Sequence, residues 1–270
     1  MNMAKAWDKI SSSYQKRYAI GTLQMHWGPL CPSEKKLKLL GCVKGKRILE
    51  VGSGAGQNSI MLARNGAIVT ALDISKNQIN YGKLLAKKEK VSVNFIQGDF
   101  ENINTYFADT YFDIAFSAYA LQYCKTITSM QSTFKQINNI LCTNGQFIFS
   151  LDHPLRTHGY WNKQNNFIFD NYFDSTLKKW DYSFPETKIS AKMQGTFYTI
   201  SEIINTLIDS GFFIEKILEP KPVKKDPNTR FGVNSRYGFN NKRDPFTYEH
   251  LSRTPGTLII KARKNNTKLS

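Results

Sequence analysis

The stretch K-R-I-L-E-V-G-S-G-A-G, residues 46–56 of the 270-residue chain, decides the fold. Residues 47–51 form a short, largely apolar run, which predicts a strand. Glycines at every second position from 52 to 56 predict a turn, and residues 57–65 carry apolar side chains at helical spacing. The predicted order is therefore strand, glycine turn, helix.

A second apolar run, residues 67–72, ends on Asp73. This acid follows the first glycine by about 20 residues, the spacing that completes a βαβ unit of the nucleotide-binding kind. The glycines let the backbone approach a ligand closely. An acid at the tip of the second strand can accept hydrogen bonds from both hydroxyls of a ribose, so the unit predicts a nucleoside-containing ligand.

The glycine spacing distinguishes between two ligand classes. A dinucleotide site has the pattern G-x-G-x-x-G, but the third residue after Gly54 is Gln57, and the third glycine comes one residue early, at Gly56. Glu50, just before the turn, would repel a diphosphate and suits a cationic ligand instead. A generic glycine turn between a strand and a helix remains the alternative.

The segment E-V-G-S-G-A-G at residues 50–56, followed by L-D-I at 72–74, resembles motifs one and two of the class I S-adenosylmethionine (SAM) methyltransferases. The resemblance implies SAM as cofactor and S-adenosylhomocysteine as its product. It also implies that the acid helps to anchor the methionine end of SAM. Within the class, the chain looks most like the methyltransferase type 11 group of small-molecule enzymes, including those of natural-product tailoring.

Later segments extend the resemblance to about residue 151. G-D-F at residues 98–100 matches the next landmark, where an acid can accept from the adenine amino group and an aromatic ring packs on adenine; a helix cap is the alternative role for the acid. F-D-x-x-x-S at 112–117 matches the fourth strand. The cofactor-binding residues implied are Glu50, Gly52, Ser53, Gly54, Gly56, Asp73, Ile74, Asp99, Phe100 and Ser117.

Candidate catalytic residues come from outside the motifs. Strand five ends at Asp152, so His153 should point toward the carboxyl ends of the strands, where open α/β sheets bind ligands. Tyr14 lies on a predicted helix before the core, and His26 lies in an aromatic turn. We predict His153, His26 and Tyr14 as candidate bases. The alternatives are a hydrogen-bonded loop position for each histidine and a packed helix face for Tyr14.

The composition of the chain limits the metal sites, locations and partners that we expect. The cysteines, Cys31, Cys42, Cys124 and Cys142, have no metal-site spacing, so we predict reduced thiols, a cytoplasmic location and no metal. No apolar run reaches the roughly 18 residues of a membrane span. The net charge of +16 is typical of a nucleic-acid binder, but the basic residues are scattered, which favours a solvated surface. Some of the scattered basic residues lie in one late loop: Lys224, Lys225, Arg230, Arg236, Lys242 and Arg243.

The sequence thus predicts a Rossmann-like α/β fold with a seven-stranded, mostly parallel sheet and helices on both faces. Residues 1–44 form a helical lid, 45–152 the SAM-binding core, 153–198 an aromatic-rich cap insertion and 199–270 the rest of the sheet. The predicted function is methyl transfer to an O, N or C atom of a small molecule, by a monomer or homodimer. RNA methylation and SAM binding without catalysis remain alternatives.

Overall fold

The computed structural model describes residues 2–107, 111–162, 164–224 and 248–265. The helices are α1 Met3–Tyr18, α2 Glu34–Leu37, α3 Gln57–Arg64, α4 Lys76–Lys88, α5 Ile127–Ile140, α6 Pro154–Thr157, α7 Ile200–Ile208 and α8 Tyr248–Arg253. The strands are β1 Arg47–Val51, β2 Ile68–Asp73, β3 Asn94–Gln97, β4 Phe112–Ala118, β5 Leu141–Asp152, β6 Gly159–Trp161, β7 Phe167–Phe169, β8 Leu177–Phe184, β9 Ile189–Thr196, β10 Phe212–Leu218 and β11 Thr257–Lys264. Two 3-10 helices span Phe100–Thr105 and Leu121–Tyr123.

Seven strands form one sheet in the order β10-β11-β5-β4-β1-β2-β3. All neighbours are parallel except β11, which runs antiparallel to both β10 and β5. The predicted mostly parallel sheet and its closing antiparallel pair are confirmed. Strand order reverses beside β1, because β2 lies on one side of it and β4 on the other. Sheets of this kind bind ligands at the carboxyl ends of the strands beside such a reversal.

The alternation of side chains along β1 explains why helices cover both faces of the sheet. Leu49 and Val51 point into one core with side chains of α5 and α7. Ile48 points into the opposite core with Met61 of α3 and the fully buried Trp27. Successive strand residues face opposite sides, so a run that is buried on both faces reads as continuously apolar.

Several element boundaries differ from those predicted. The sequence pattern predicts a third strand over residues 91–97, a fifth strand over 147–151 and a short helix from Pro32 to near Gly41. In the structure the third strand begins at Asn94, the fifth extends over Leu141–Asp152, and the helix is limited to Glu34–Leu37. Asn144 lies in the turn T-N-G-Q, for which its residue type predicts a left-handed conformation, and it adopts this conformation at φ +59°. Of the C-terminal part, residues 225–247, with Lys225, Arg230, Arg236, Lys242 and Arg243, and residues 266–270 lie outside the described residues.

The insertion after β5 forms two hairpins, β6–β7 and β8–β9. Helix α1 packs on the second hairpin, and we name these two elements together the aromatic cover. Its interior side chains include Trp7, Tyr14, Tyr18, Trp180, Tyr182 and Phe184. The division at residues 44, 152 and 198 remains a prediction. None of the helices within the described ranges is long and apolar enough to cross a membrane.

A carboxylate fastens α1 to the sheet domain. Asp8 Oδ1 accepts hydrogen bonds from Ser75 Oγ at 2.7 Å and from the Asn77 backbone N–H at 3.0 Å. Both donors lie at the start of α4, where backbone N–H groups lack helical partners and favour an anion. Asp8 therefore acts as an additional cap on α4 and holds the cover over the strand ends.

Candidate active site

A cavity of about 520 Å³ lies between the carboxyl ends of the strands and the aromatic cover. It brings together ten of the predicted site residues: Tyr14, His26, Glu50, Gly52, Ser53, Gly54, Asp73, Ile74, Asp99 and Phe100. The other three, Gly56, Ser117 and His153, do not line it. The motif segments thus meet at one place, as the resemblance implied.

Glu50, near the end of β1, is a buried carboxylate at the floor of the cavity. Its Oε2 accepts from the Ser59 backbone N–H at 3.1 Å and from Ser59 Oγ at 2.5 Å, and its Oε1 accepts from Asn58 Nδ2 at 3.3 Å. Burial raises the pKa of Glu50 to about 7, although these hydrogen bonds oppose the shift. A cationic ligand beside it would favour the ionised form.

Asp73, at the tip of β2, organises the glycine turn. Its Oδ2 accepts from the Gly54 N–H at 2.7 Å, and its Oδ1 accepts from the Ser75 N–H at 2.9 Å. Burial raises the pKa of Asp73 to about 6 against the effect of these bonds. A carboxylate has about four lone-pair sites, so two hydrogen bonds leave room for donors from a ligand.

The three glycines of the turn have different surroundings. All have positive φ, and a Cβ on Gly54 would meet nothing within 4 Å, whereas one on Gly52 would lie 2.2 Å from Ala120 Cβ. A Cβ on Gly56 would lie 2.7 Å from the Phe95 ring. Gly56 therefore serves packing at the start of α3 rather than the cavity, which corrects its predicted place beside the cofactor.

Asp99 has the alternative role, that of a helix cap. Its side chain accepts from the Glu101 N–H at 2.9 Å and so caps the 3-10 helix that begins at Phe100. Asp99 and Phe100 also both line the cavity. Ser117 does not: its fully buried Oγ donates to the Val51 carbonyl at 2.9 Å and joins β4 to β1. Ser117 therefore has a structural role between two strands, and its predicted place in the cofactor site is corrected.

The expectation that His153 points into the site is not met. Its Nδ1 accepts from the Leu155 N–H at 3.1 Å, so the proton lies on Nε2, which is 2.7 Å from Glu219 Oε1. Burial lowers the pKa of His153, and Glu219 opposes this shift. The histidine leaves the strand to cap α6, whereas Asp152, one residue earlier, lines the cavity.

His26 and Tyr14 do line the cavity. Asn58 holds the His26 backbone, accepting from its N–H at 3.1 Å, while the imidazole makes no hydrogen bond to the described residues. Burial lowers the pKa of His26 to about 4, so the ring is neutral. Burial also raises the pKa of the Tyr14 phenol, which lies among the rings of Trp7 and Tyr18.

Sequence reasoning missed a chain of buried amides that connects the cover to the core. Gln57 Nε2 donates to Gln15 Oε1, and Gln15 Nε2 donates to Gln78 Oε1, each at 2.7 Å. All three side chains line the cavity. The residues lie on α3, α1 and α4, and no motif spacing relates them. The buried residues of α1 also include Ser11 and Ser13, so the helical pattern did not single out Gln15.

The residues present fit SAM. Two carboxylates, the buried Glu50 and the half-buried Asp73, face the cavity, and a positively charged ligand with hydroxyl donors complements both. The open space beside the Gly54 Cα allows a ligand to contact the backbone directly. Phe100 and Ile74 supply apolar walls for a planar base. Glu50 would hold the charged amino-acid end and Asp73 the ribose.

Comparisons with known proteins agree with this geometry. Residues 49–149 match the model of a family described as a methyltransferase domain. A Geobacillus sp. (strain WCH70) protein with a methyltransferase name is 29% identical over 119 residues, which covers 44% of this chain and 47%, about half, of that protein. An uncharacterized Haemophilus influenzae protein is 26% identical over 244 residues, covering 84% of this chain and 85% of that one.

A solved structure shares the fold over most of the chain. It is an S-adenosylmethionine dependent methyltransferase from Mesorhizobium loti, with a TM-score of 0.62 and 21% identity, covering 84% of this chain and 95% of that one. The family model matches β1 through β5, which carry the carboxylates and glycines of the cavity. Residues 49–149 thus match a methyltransferase domain, and most of the chain shares the fold of an S-adenosylmethionine dependent methyltransferase.

Proposed function

We propose that this protein transfers a methyl group from SAM to an O, N or C atom of a small molecule, a metabolite or natural product, in the cytoplasm. The observation that carries the proposal is one continuous cavity that borders both Asp73 and the aromatic cover. Its volume of about 520 Å³ lies in the range of small-molecule sites, about 300–1,000 Å³. The four cysteines form no disulfide among the described residues, which supports a reducing compartment.

The strand order supports separate places for cofactor and acceptor within the cavity. Asp73 ends β2 and Asp152 ends β5, three strands away. Neighbouring strands are about 4.8 Å apart, so the two ends are separated by about 14 Å. The cofactor would lie across β1 and β2 and the acceptor across β4 and β5, beneath the aromatic cover.

The chain's main contribution to methyl transfer is positioning. When bound, SAM supplies an electrophilic methyl group on a sulfonium. The residues around it hold the acceptor in line, which can supply about 7–11 kcal/mol of rate enhancement when alignment is good. The rings of the aromatic cover exclude water. A hydroxyl or carbon acceptor also requires a proton acceptor, and His26 is the neutral, unengaged imidazole at the cavity.

We predict that His26→Ala lowers kcat by about 10²–10⁴ if the acceptor must lose a proton. Because burial lowers the pKa of His26 to about 4, its proton-accepting form persists above about pH 4. Turnover of the wild type should therefore not fall between pH 7.5 and 5.5, whereas a base with an ordinary histidine pKa near 6.5 would lose about tenfold. Steady-state kinetics over this range measures both effects.

His153→Ala is the control for the His26 substitution. Its ring lies outside the cavity lining, so we expect turnover near that of the wild type. A large loss of kcat with unchanged SAM affinity would instead restore His153 as the base. Wild-type kcat in His26→Ala would show that the acceptor needs no base from this position.

A second prediction concerns the aromatic cover. Gln15 contacts Gln57 and Gln78 at the cavity, so cofactor bound there should stabilise α1 in its closed position. We expect S-adenosylhomocysteine to slow trypsin cleavage at Lys9 and Lys16 on α1. Mass spectrometry of the digests measures this, with cleavage after Lys83 or Lys87 on α4 as the reference. Equal cleavage rates with and without ligand would contradict a mobile cover.

RNA methylation has less support in the arrangement of the aromatic residues. Trp7 packs edge-to-face against Tyr14 and Tyr123, with ring centroids 5.7 and 5.5 Å apart. These rings pack edge against face in the wall of a pocket, whereas successive bases stack on open ring faces. RNA binding that falls steeply with salt would revive this alternative.

Methyl-labelled SAM tests the proposed function directly. The protein is incubated with labelled SAM and either a bacterial metabolite extract or total RNA, and the label is located by chromatography. We expect label in the small-molecule fraction. Label in RNA would support RNA methylation. No label, despite cofactor binding measured by calorimetry, would support a SAM-binding protein without catalysis.

A further inference from the structure

Asp152 is a buried carboxylate that the cofactor site does not use. It is the last residue of β5, its exposed fraction is 6%, and it lines the main cavity. No residue in the described part of the chain donates a hydrogen bond to either of its oxygens. Arg156 Nη1 lies 3.3 Å from Oδ1 as an ion pair without hydrogen-bond geometry. Burial raises the pKa of Asp152, and Arg156 opposes the shift.

Gln122 is a second polar side chain at this end of the cavity without a partner among the described residues. It is buried, it lines the cavity, and its Oε1 has no hydrogen bond. An amide can present either its donor or its acceptor by rotating, whereas an ionised carboxylate can only accept. A ligand that binds to Asp152 must therefore carry a hydrogen-bond donor.

We infer that Asp152 accepts a hydrogen bond from a hydroxyl or amino group of the methyl acceptor, with Gln122 as the second polar contact. The inference rests on the proposed function. Buried polar groups in proteins are nearly always hydrogen-bonded, so a carboxylate at a cavity wall without protein donors calls for a donor from the ligand. The strand position agrees, because Asp152 lies at the β5 end, away from Asp73.

Two further features narrow the class of acceptor. Arg156 already balances the charge of Asp152, which favours a neutral donor over an ammonium group. Beside this polar end, the cavity is walled by the rings of Trp7, Tyr14, Tyr123, Trp180 and Tyr182. The geometry points to an aromatic or otherwise flat apolar molecule that carries a hydroxyl or amino group.

Asp152 and Gln122 also border a second cavity of about 10 Å³, together with Tyr198. A space of this size holds about one water molecule. A water there could satisfy one oxygen of Asp152 and would leave the side of the carboxylate that lines the main cavity for the ligand. The experiment must therefore separate recognition of a ligand from hydration alone.

The test uses matched pairs of probes on the protein saturated with S-adenosylhomocysteine. The probes p-cresol, p-toluidine and 2-naphthol are paired with 4-methylanisole, N,N-dimethyl-p-toluidine and 2-methoxynaphthalene, which lack the donor hydrogen. Saturation-transfer NMR titrations measure binding without requiring turnover. We expect the wild type to bind the probe with the donor hydrogen about tenfold or more tightly than its paired probe, because a hydrogen bond to a charged group contributes this much.

The variant is Asp152→Leu/Arg156→Met, which removes both members of the ion pair. Replacing a buried ion pair by apolar residues is often neutral for stability, whereas removing one partner alone is strongly destabilising. The control is the matched change at an exposed pair on the β8–β9 hairpin, Asp181→Leu/Lys192→Met, whose charged atoms are 3.9 Å apart. We expect the donor preference to disappear in the first variant and to persist in the control.

The outcomes separate this inference from the proposed function. Equal binding within each pair, retention of the preference in Asp152→Leu/Arg156→Met, or binding of none of the six probes would overturn the inference and leave Asp152 a hydrated structural group. None of these outcomes bears on methyl transfer itself. Calorimetry with S-adenosylhomocysteine confirms that the cofactor end is intact in each variant, and failure of the wild type to bind it would count against the proposed function instead.

Discussion

Asp73→Ala is expected to weaken SAM binding by about 1.5–3 kcal/mol, the usual range for a hydrogen bond to a charged group. The carboxylate lies at the cavity and holds the Gly54 N–H at 2.7 Å. Without the carboxylate, the ribose hydroxyls lose their hydrogen-bond acceptor. The glycine turn also loses the hydrogen bond from the Gly54 N–H. Both effects act on the cofactor, so affinity should fall more than stability. Isothermal calorimetry with SAM and S-adenosylhomocysteine measures the change.

Asp113→Ala is a matched control for Asp73→Ala. Asp113, on β4, also accepts a hydrogen bond from a backbone N–H, that of Arg47, at 2.8 Å, but it does not line the cavity. Its loss should lower the melting temperature without changing cofactor affinity. If Asp73→Ala bound SAM as tightly as the wild type, the ribose site would have to be placed elsewhere.

Gly52→Ala should lower the free energy of unfolding by about 2–5 kcal/mol. The residue has φ +70°, a conformation that costs an L-residue about 1–2 kcal/mol, and its new Cβ would lie 2.2 Å from Ala120 Cβ, an overlap that typically adds about 1–3 kcal/mol. Relief of the overlap would shift the turn away from the cofactor. Denaturant unfolding measures the stability, and calorimetry the affinity for S-adenosylhomocysteine.

Two variants separate the causes of the Gly52→Ala effect. Gly54→Ala places a methyl in open space at φ +55°, so its stability should fall only by the conformational cost of about 1–2 kcal/mol. Gly52→Ala/Ala120→Gly removes the overlapping atom and should recover the packing part of the loss. A double variant no more stable than Gly52→Ala would show that the contact with Ala120 is not the cause.

The end of the cavity at which we propose that SAM binds could be predicted from the sequence because it is built from local motifs. Glu50 through Gly54 and Asp73 lie on one βαβ unit, whose geometry follows from strand, turn and helix alone. Gly56 was assigned to the cofactor because it shares the glycine pattern. A side chain at this position would clash with Phe95, which lies about 40 residues later in the chain. The glycine pattern carries no information on that contact.

The acceptor end was harder to predict because it depends on side-chain direction and on distant contacts. The end of β5 was predicted to within one residue, yet His153 turns away as the cap of α6 while Asp152 faces the cavity. Adjacent residues at a strand end point to opposite sides, and sequence alone does not say which side faces the ligand. The contact of Gln15 with Gln78 joins residues 63 positions apart.

The position of β11 has a consequence for how the chain folds. This strand lies between β5 and β10, and its Thr257 pairs with Asp152, about a hundred residues earlier. Among the strands of the described residues, β10 is bonded in the sheet to β11 alone, so it joins the sheet only once β11 is present. During synthesis, the five parallel strands could assemble early, with the edge of β5 exposed until β11 arrives. Pairing over such a separation is slow, and an unpaired edge favours aggregation.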